Sequence, residues 1–414
     1  MNQLLKVCFN EKHIANLWLE DKYYYFQYIT QETLPISLTL PVRVGPYVRD
    51  YAKPYFANLL PEGEARTAVE TRLGISRGDD FELLKKIGGD CAGAVTLFPE
   101  DQTPFMNATY TALSSDELIA LIKELPQNPL CAGRSNSIRL SLAGAQNKTT
   151  LYVKDGVYYL PENGAPSSHI LKIPITNITG ITDTVQNETF VMMLAKEVGL
   201  NVPNVELVQI GDISVFVIER YDRFVDEKQK IQRLLQEDFC QIMRLEPTVK
   251  YQNAGGPSLE NCVAKIREHS SDSLTDTEQL LKWVAFNVLV GNADAHGKNI
   301  SMIWKSGEIR LAPFYDILST MVYMDNHDPN FAMSIGREFH TEKLTRDNWK
   351  QMAKFLDVNI RLIDKINSNL VHSIGSSVKN VLEMFESKYG NNAIVGQIVQ
   401  NIDARSTLLK NSLK

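Results

Sequence analysis

Residues 291–299, Gly-Asn-Ala-Asp-Ala-His-Gly-Lys-Asn, contain side chains that phosphoryl transfer could use. Asp294 stands five positions before Asn299, and Asp316 follows the next β-turn. Transfer of a phosphoryl group to a hydroxyl needs a carboxylate that accepts the hydroxyl proton, together with an amide oxygen and a second carboxylate that hold Mg²⁺. The residue types and their spacing indicate this chemistry without establishing it.

The order of these three residues is also the order found in the helical lobe of protein kinases. The alternative is ordinary capping, in which Asp294 and Asn299 cap turns and Asp316 caps a helix. For each of the three residues taken alone, capping is the more favoured interpretation. His296 is a further candidate for a phosphate or metal contact, although a single histidine is more often a hydrogen-bonded structural residue.

Lys172 is a candidate for the cation that a kinase places near the nucleotide phosphates. It lies in a predicted strand, His169–Ile173, where a lysine among hydrophobic residues is costly unless it is paired or reaches water. Glu188 lies near the start of the helix predicted over residues 187–198, so an ion pair is reasonable. A solvated Lys172, with Glu188 simply near a helix N-terminus, is about as favourable, and the order along the chain favours the ion pair.

Two further segments fit a nucleotide site. Ser141–Lys148 joins two predicted strands, one of them 138–142, with small residues whose amides could approach phosphates closely, although an ordinary β-turn has the same composition. Glu219–Arg223 ends a β-rich run over 205–220, where a hinge that binds adenine would fall. The alternative is a strand that simply reaches solvent.

Taken together, the segments of this chain resemble the HipA-type serine/threonine kinases, the toxins of bacterial toxin–antitoxin modules. The resemblance covers about residues 50 to 320 and is specific because many segments occur in one order. The segments are Phe56–Gly63, Gly88–Val95, Ser141–Lys148, His169–Lys172, Glu219–Arg223, Gln236–Asp238, Lys250–Tyr251, Gly255–Pro257, Gly291–Asn299 and Leu311–Asp316.

The resemblance implies roles for single residues. Asp294 corresponds to the catalytic base of the family, and Asn299 and Asp316 correspond to its Mg²⁺ ligands. Lys172 corresponds to the lysine on the ATP phosphates. Ser141 corresponds to the serine whose autophosphorylation expels its loop from the ATP site and switches the enzyme off. The remaining positions are the nucleotide contacts Glu219, Tyr221, Gln236, His296 and Leu142, and the ion-pair partner Glu188. The family often has phenylalanine at the position of Tyr221.

The expected fold class is α+β, a bilobed protein-kinase-like fold. We expect an N-terminal α/β subdomain over residues 1–100, of the type that contacts the antitoxin. A β-rich kinase N-lobe follows over 136–225, and a mainly α-helical C-lobe over 230–414 contains the catalytic loop 291–299. The last ~90 residues are predicted only as helical.

Composition narrows the classes of function. The chain has 414 residues, 44% of them hydrophobic and 22% charged, and a net charge of −6, so large-scale disorder and a general basic surface for nucleic acid are excluded. The N-terminal sequence does not fit a signal peptide, and no apolar run reaches the ~20 residues of a membrane span, so we expect a cytoplasmic protein. Five scattered cysteines favour reduced thiols over disulfides or zinc.

We therefore expect a kinase that uses ATP and Mg²⁺. The resemblance implies a HipB-like helix-turn-helix antitoxin as partner, contact with DNA only through that antitoxin, and an aminoacyl-tRNA synthetase, above all the glutamyl enzyme, as protein substrate. Two alternatives stay open. One is a small-molecule phosphotransferase of the aminoglycoside type, and the other is a catalytically silent corepressor of the antitoxin.

Overall fold

A computed structural model describes residues 3–326 and 330–414 of the chain. Its helices are α1 (Lys53–Ala57), α2 (Gly63–Leu73), α3 (Asp80–Ile87), α4 (Ser115–Glu124), α5 (Thr184–Glu197), α6 (Phe239–Ile242), α7 (Leu259–His269), α8 (Ser273–Val290), α9 (Arg346–Phe355), α10 (Ile360–Tyr389) and α11 (Ala393–Ser412). Its strands are β1 (Leu4–Phe9), β2 (Lys12–Glu20), β3 (Tyr23–Tyr28), β4 (Val95–Pro99), β5 (Thr109–Ala112), β6 (Lys148–Lys154), β7 (Val157–Glu162), β8 (His169–Lys172), β9 (Val205–Ile210), β10 (Ile213–Glu219), β11 (Arg223–Val225), β12 (Ile231–Arg233), β13 (Gln236–Asp238), β14 (Ser301–Lys305), β15 (Glu308–Leu311), β16 (Asn330–Ile335) and β17 (Glu338–His340).

The chain forms two compact units. The first consists of Met1–Ile173 and Val208–Thr248, and the second of Pro174–Leu207 and Val249–Lys414. The first unit is rich in strands, and the second contains α5 and the long helices α8, α10 and α11. The three domains expected from the sequence stay a prediction, since a compact unit and a family domain are different divisions.

Two sheets organise the first unit. One has the strand order β3-β2-β1-β4, and the other has the order β5-β7-β6-β8-β10-β9, with β9 crossing the division between the units. In β3 the side chains of Tyr24, Phe26 and Tyr28 are buried and alternate with more exposed neighbours, the period expected of a strand with one face on the core. β8 pairs with both β6 and β10, so it lies inside the larger sheet.

One strand prediction needs correction. Residues 138–142 form no strand: the segment is buried, and its backbone makes one isolated bridge, between Leu140 and Asp90. The β-rich run over 205–220 is confirmed as the two strands β9 and β10, and the chain turns between them at Gly211, whose φ of 61° lies in the left-handed region that glycine adopts easily. A β-type pattern alone does not show whether a buried segment has a partner strand.

Buried helices form the core of the second unit. α8 is buried along most of its second half, and α10 and α11 pack against it. α5 packs against α10 and α11. The helical prediction for the C-terminal residues is confirmed, and the amphipathic pattern over residues 378–389 is the last part of the longer helix α10.

Among residues 3–326 and 330–414, no helix is both long and apolar enough to span a bilayer. All five cysteines are free and buried.

Candidate active site

The loop that contains Asp294 begins where α8 ends. Gly291 ends the helix with a φ of 68°, and its carbonyl oxygen accepts hydrogen bonds from the Met321 amide at 3.0 Å and from the Thr320 hydroxyl at 3.2 Å. The Ala293 amide in turn donates to the Thr320 hydroxyl at 2.8 Å. A Cβ atom at residue 291 would lie 3.0 Å from Met321 Cβ. These contacts join the start of the loop to the segment that follows Asp316.

The backbone of Asp294 is held from both sides. Its amide donates to Asn292 Oδ1 at 3.1 Å, and Asn292 Nδ2 donates to Asn287 Oδ1 at 2.8 Å. The Asp294 carbonyl oxygen accepts from the His296 amide at 2.9 Å and from Asn299 Nδ2 at 3.0 Å. The asparagines therefore make this loop a fixed support rather than a freely moving turn.

The carboxylate of Asp294 is fixed as well but stays open to solvent. Its side chain is 46% exposed, and Oδ1 accepts a hydrogen bond from the Tyr251 hydroxyl at 2.6 Å. His296 Nε2 lies 3.9 Å from the same oxygen, and the His296 side chain is only 6% exposed. The Tyr251 and His296 rings meet edge to face at 5.2 Å. A carboxylate oriented in this way can reach the hydroxyl of an external substrate.

Gly297 allows the second half of the loop to pack closely. Its amide donates to the Lys250 carbonyl at 3.3 Å. A Cβ atom at residue 297 would lie 2.4 Å from Pro257 Cγ, which is closer than real contacts allow. The Lys250–Pro257 segment therefore supports the loop from one side and also contributes Tyr251.

Asn299 and Asp316 lie at the same end of the β14–β15 hairpin. Asn299 lies just before β14, and Asp316 follows β15. The hydroxyl of Tyr315 donates to the Lys298 carbonyl at 2.5 Å and lies 2.9 Å from Ser301 Oγ. The residue before Asp316 is thus bonded to the residue before Asn299. Asp316 has a φ of 59°, a conformation that costs free energy for most residues and that aspartate tolerates better than most.

The donors at this end of the hairpin fit a magnesium ion. Because Asn299 Nδ2 is bonded to the Asp294 carbonyl, the side-chain oxygen of Asn299 is the atom that could meet a metal. Amide and carboxylate oxygens are hard ligands, and Mg²⁺ usually takes one or two of them and completes its shell with water and substrate phosphates. Across the part of the chain that the structure describes, no group of three or more His, Cys, Asp or Glu residues is arranged to hold a metal ion.

Lys172 and Glu188 lie on the predicted elements, in different units. Lys172 ends β8 opposite Lys148 and Phe216, is 7% exposed, and its Nζ lies 5.6 Å from the centre of the Phe216 ring. Glu188 is buried near the start of α5. Its neighbour Asn187 accepts from the Ser319 amide at 2.8 Å and donates to the Ser319 carbonyl at 2.9 Å. α5 is thereby tied to the segment after Asp316. The ion pair between Lys172 and Glu188 stays a prediction.

Two of the residues predicted to contact nucleotide meet in the first unit. The Tyr221 hydroxyl donates a hydrogen bond to Gln236 Oε1. Glu219 is exposed at the end of β10, opposite His169 in the strand register. Leu142 is buried beside Ser141. The contact of these four positions with nucleotide stays a prediction.

Ser141 is inside the first unit rather than on its surface. It is 0% exposed, and its hydroxyl donates to the Leu59 carbonyl at 2.8 Å. Its amide donates to the Asp90 carbonyl at 3.0 Å. The segment that follows is held by the Glu62 amide, which donates to the Gly144 carbonyl at 3.0 Å.

Two residues that support the loop were not identified as functional from the sequence. Tyr251 bonds directly to Asp294, and nothing but its place in the Lys250–Pro257 segment marks it. Arg405 of α11 is buried, its Nε donates to the Val288 carbonyl at 2.6 Å, and one guanidinium nitrogen lies 3.5 Å from Met321 Sδ. Burial lowers the pKa of Arg405 to about 10, against the opposing effect of Glu342, so the guanidinium stays charged at neutral pH. The sequence shows only an arginine in an amphipathic helix.

Comparisons with known proteins agree on one family. A family model described as "HipA-like C-terminal domain" matches residues 140–383, and one described as "HipA N-terminal domain" matches residues 5–98. A Sinorhizobium fredii protein named as a kinase, Y4mE, is 38% identical over 96% of this chain and 93% of the Y4mE chain. The serine/threonine-protein kinase toxin HipA of Shewanella oneidensis is 30% identical over 79% of this chain and 75% of its own.

A solved structure shares the fold. HipA from the Shewanella oneidensis complex of HipA, HipB and operator DNA superposes with a TM-score of 0.84, covering 99% of this chain and 97% of that one at 24% identity. The chain therefore belongs to the HipA-like kinase family. It is a serine/threonine protein kinase of that family, and the predicted α+β kinase-like fold is confirmed.

Proposed function

We propose that this kinase transfers the γ-phosphoryl group of ATP to a serine or threonine of a protein, with Mg²⁺, as the toxin of a toxin–antitoxin module. The observation that carries the proposal is the loop of Asp294. It combines an open carboxylate with a backbone fixed by Asn292 and Asn299, and Asp316 lies at the same end of the adjoining hairpin. Phosphoryl transfer depends on positioning and on neutralising charge, which this arrangement suits.

In this proposal each residue acts on a stated atom. Asp294 accepts the proton of the substrate hydroxyl, and the Tyr251 hydroxyl keeps its carboxylate turned for that contact. The oxygens of Asn299 and Asp316 would hold Mg²⁺, which, when bound, would supply positive charge to neutralise the nucleotide phosphates. Lys172, supported by Glu188, contacts the phosphates. The adenine end meets Glu219, Tyr221 and Gln236, and the remaining pocket positions are His296 and Leu142.

A HipB-like helix-turn-helix antitoxin is the proposed partner. The HipA relative from Shewanella oneidensis was solved together with HipB and operator DNA. This chain has 43 basic and 49 acidic residues, so it has no general positive field to attract DNA. Contact with DNA therefore runs through the antitoxin in our proposal. Action in the cytoplasm stays a prediction from the sequence.

The proposed substrate is an aminoacyl-tRNA synthetase, with the glutamyl enzyme first. The test is transfer of labelled phosphate from [γ-³²P]ATP with Mg²⁺ to purified glutamyl-tRNA synthetase, with the other synthetases in parallel. We expect label on a serine of the glutamyl enzyme and loss of its charging activity. Label on a different synthetase would change the proposed substrate and leave the proposed kinase activity intact. Label on aminoglycosides and on no protein would favour the small-molecule phosphotransferase.

We propose that Ser141 is phosphorylated by the kinase itself and that this switches the enzyme off. Because the hydroxyl is buried against the Leu59 carbonyl, the segment must leave its place before it can react. A phosphate there carries close to two negative charges, which this buried position could not readmit without large cost.

After incubation with ATP and Mg²⁺, we expect the wild-type protein to carry one phosphate at Ser141 and to lose transfer activity. Ser141→Ala should stay unmodified and active, at a stability cost of about 1 kcal/mol for the lost hydrogen bond. Mass spectrometry and a transfer assay measure both. Ser135→Ala is the matched control, since Ser135 is an exposed serine six positions earlier in the chain. Silencing of Ser141→Ala by ATP would contradict the switch.

A further inference from the structure

The residues at the end of β10 and immediately after it are alternately exposed and buried. Glu219 is exposed and Tyr221 is partly exposed, whereas Arg220 and Asp222 are buried. The predicted nucleotide contacts therefore alternate with two buried charged residues. What holds Arg220 and Asp222 also determines where Glu219 and Tyr221 lie.

Arg220 and Asp222 belong to a buried group of five charged residues, which we call the Asp90 cluster: Asp90, Asp222, Arg220, Arg223 and Arg233. Asp90 accepts from all three arginines, with N–O distances of 3.3 Å to Arg220, 3.0 Å to Arg223 and 2.8 Å to Arg233. Asp222 is 2.8 Å from Arg220 and 2.9 Å from Arg223. All five side chains lie in the first unit.

A backbone carbonyl adds further hydrogen bonds to the arginines of the Asp90 cluster. The carbonyl of Cys91 accepts from Arg220 at 2.8 Å and from Arg223 at 3.0 Å. Burial by itself raises the pKa of Asp90, but Arg223, Arg233 and Arg220 outweigh it and hold the pKa below its ordinary value. Asp90 is thus a buried anion that its arginine partners require, and removing its charge would leave Asp222 as the one carboxylate of the cluster opposite three buried arginines.

Asp90 also binds the segment around Ser141 through its backbone. Its amide donates to the Arg139 carbonyl at 2.8 Å, and its carbonyl accepts the Ser141 amide at 3.0 Å. Asp90 lies in the part of the chain matched by the N-terminal family domain, and Arg220, Arg223 and Arg233 lie in the part matched by the C-terminal domain. One residue thus joins the N-terminal domain to both the Ser141 segment and the end of β10.

We infer that Asp90 is a positioning residue for the nucleotide. By holding Arg220 and Arg223 it fixes the short backbone segment from which Glu219 and Tyr221 project. The inference rests on the proposed function, because it assumes that these two residues contact ATP. It adds that ATP affinity depends on a carboxylate of the N-terminal domain that itself contacts no nucleotide.

The test compares ATP binding, by titration calorimetry in the presence of Mg²⁺, between the wild-type protein and Asp90→Asn. We expect the Kd for ATP to rise about tenfold, while kcat at saturating ATP changes about twofold or less. Hydrogen exchange at the amides of residues 219–223 should become faster. A purely structural role would lower the melting temperature without separating ATP affinity from kcat.

Two further variants keep the test decisive. Glu70→Gln is the matched control, because Glu70 is another buried carboxylate of the first unit, bonded to Arg66 at 2.6 Å and outside the Asp90 cluster. We expect it to lose stability and to keep its ATP affinity. Ser167→Ala is the milder variant, because Ser167 donates to Asp90 at 2.6 Å and accepts from Arg220 at 3.0 Å. We expect its Kd to rise about threefold.

The outcomes separate the inference from the function. Unchanged ATP affinity in folded Asp90→Asn overturns the inference, and so does an equal loss in Glu70→Gln. If Asp90→Asn does not fold, Ser167→Ala decides in the same way. A wild-type protein that binds no ATP overturns the proposed function and the inference with it, whereas normal wild-type binding with unchanged variants overturns the inference alone.

Discussion

Asp294→Asn should lower kcat by about 10²–10⁴-fold, the usual contribution of a general base in proton transfer. The amide has the shape of the carboxylate and can still accept the hydrogen bond from the Tyr251 hydroxyl, which is 2.6 Å long in the wild-type protein. The loop and the ATP affinity should therefore stay nearly unchanged, while the group that accepts the proton is lost. Steady-state phosphate transfer, with a thermal melt alongside, measures the effect.

The control for this variant is Asp272→Asn. Asp272 is an exposed carboxylate in the same unit that caps α8 by accepting the Thr275 amide, and asparagine caps a helix equally well. Its kcat should match that of the wild-type protein. A wild-type rate in Asp294→Asn would refute the assignment of the catalytic base, because the asparagine amide cannot accept the proton of the substrate hydroxyl.

Asp316→Asn should lower kcat at physiological Mg²⁺ by about 10²-fold or more, because a metal ligand loses its charge while transition-state charge must still be neutralised. Asparagine accepts the left-handed backbone that Asp316 adopts, with φ at 59°, so the local conformation should survive. We expect the activity to require a higher Mg²⁺ concentration. A Mg²⁺ titration of phosphate transfer shows this directly.

Asp357→Asn is the matched control for that titration. Asp357 also has a left-handed backbone, with φ at 49°, and lies exposed in the turn after α9 of the same unit. It should show the wild-type Mg²⁺ dependence. If Asp316→Asn titrates with Mg²⁺ as this control does, Asp316 is not a metal ligand and its unusual backbone needs another explanation.

Local signals made the hairpin of the site predictable. Ser306 and Gly307, between the two strands, have φ values of 54° and 82°, the conformation of the tight turn that the sequence predicts between Lys305 and Glu308. The apolar residues from Ile309 to Phe314 predict a second strand as far as Phe314, whereas the strand ends at Leu311. Pro313 follows at once, and a proline has no amide to donate to a neighbouring strand.

Long-range contacts were not predictable. The partners of Asp294 include Tyr251, which lies 43 positions away, and Asp90 meets arginines that lie 130 or more positions away. Such contacts depend on how whole elements pack, and hydrophobic periodicity describes only which face of each element is buried. Arg405 is the clearest example, because its partner Val288 contributes a backbone carbonyl, which no residue type reveals.

The burial of every cysteine has a practical consequence for anyone who targets or labels this kinase. Burial raises the pKa of the Cys8 and Cys91 thiols to about 12 and that of Cys131 to about 11, so these sulfurs are not nucleophilic thiolates at neutral pH. Cys240 and Cys262 are enclosed as well. Electrophiles that react with thiols therefore find no accessible cysteine in the folded chain, and a single cysteine engineered onto the surface could carry a fluorophore without competing labels.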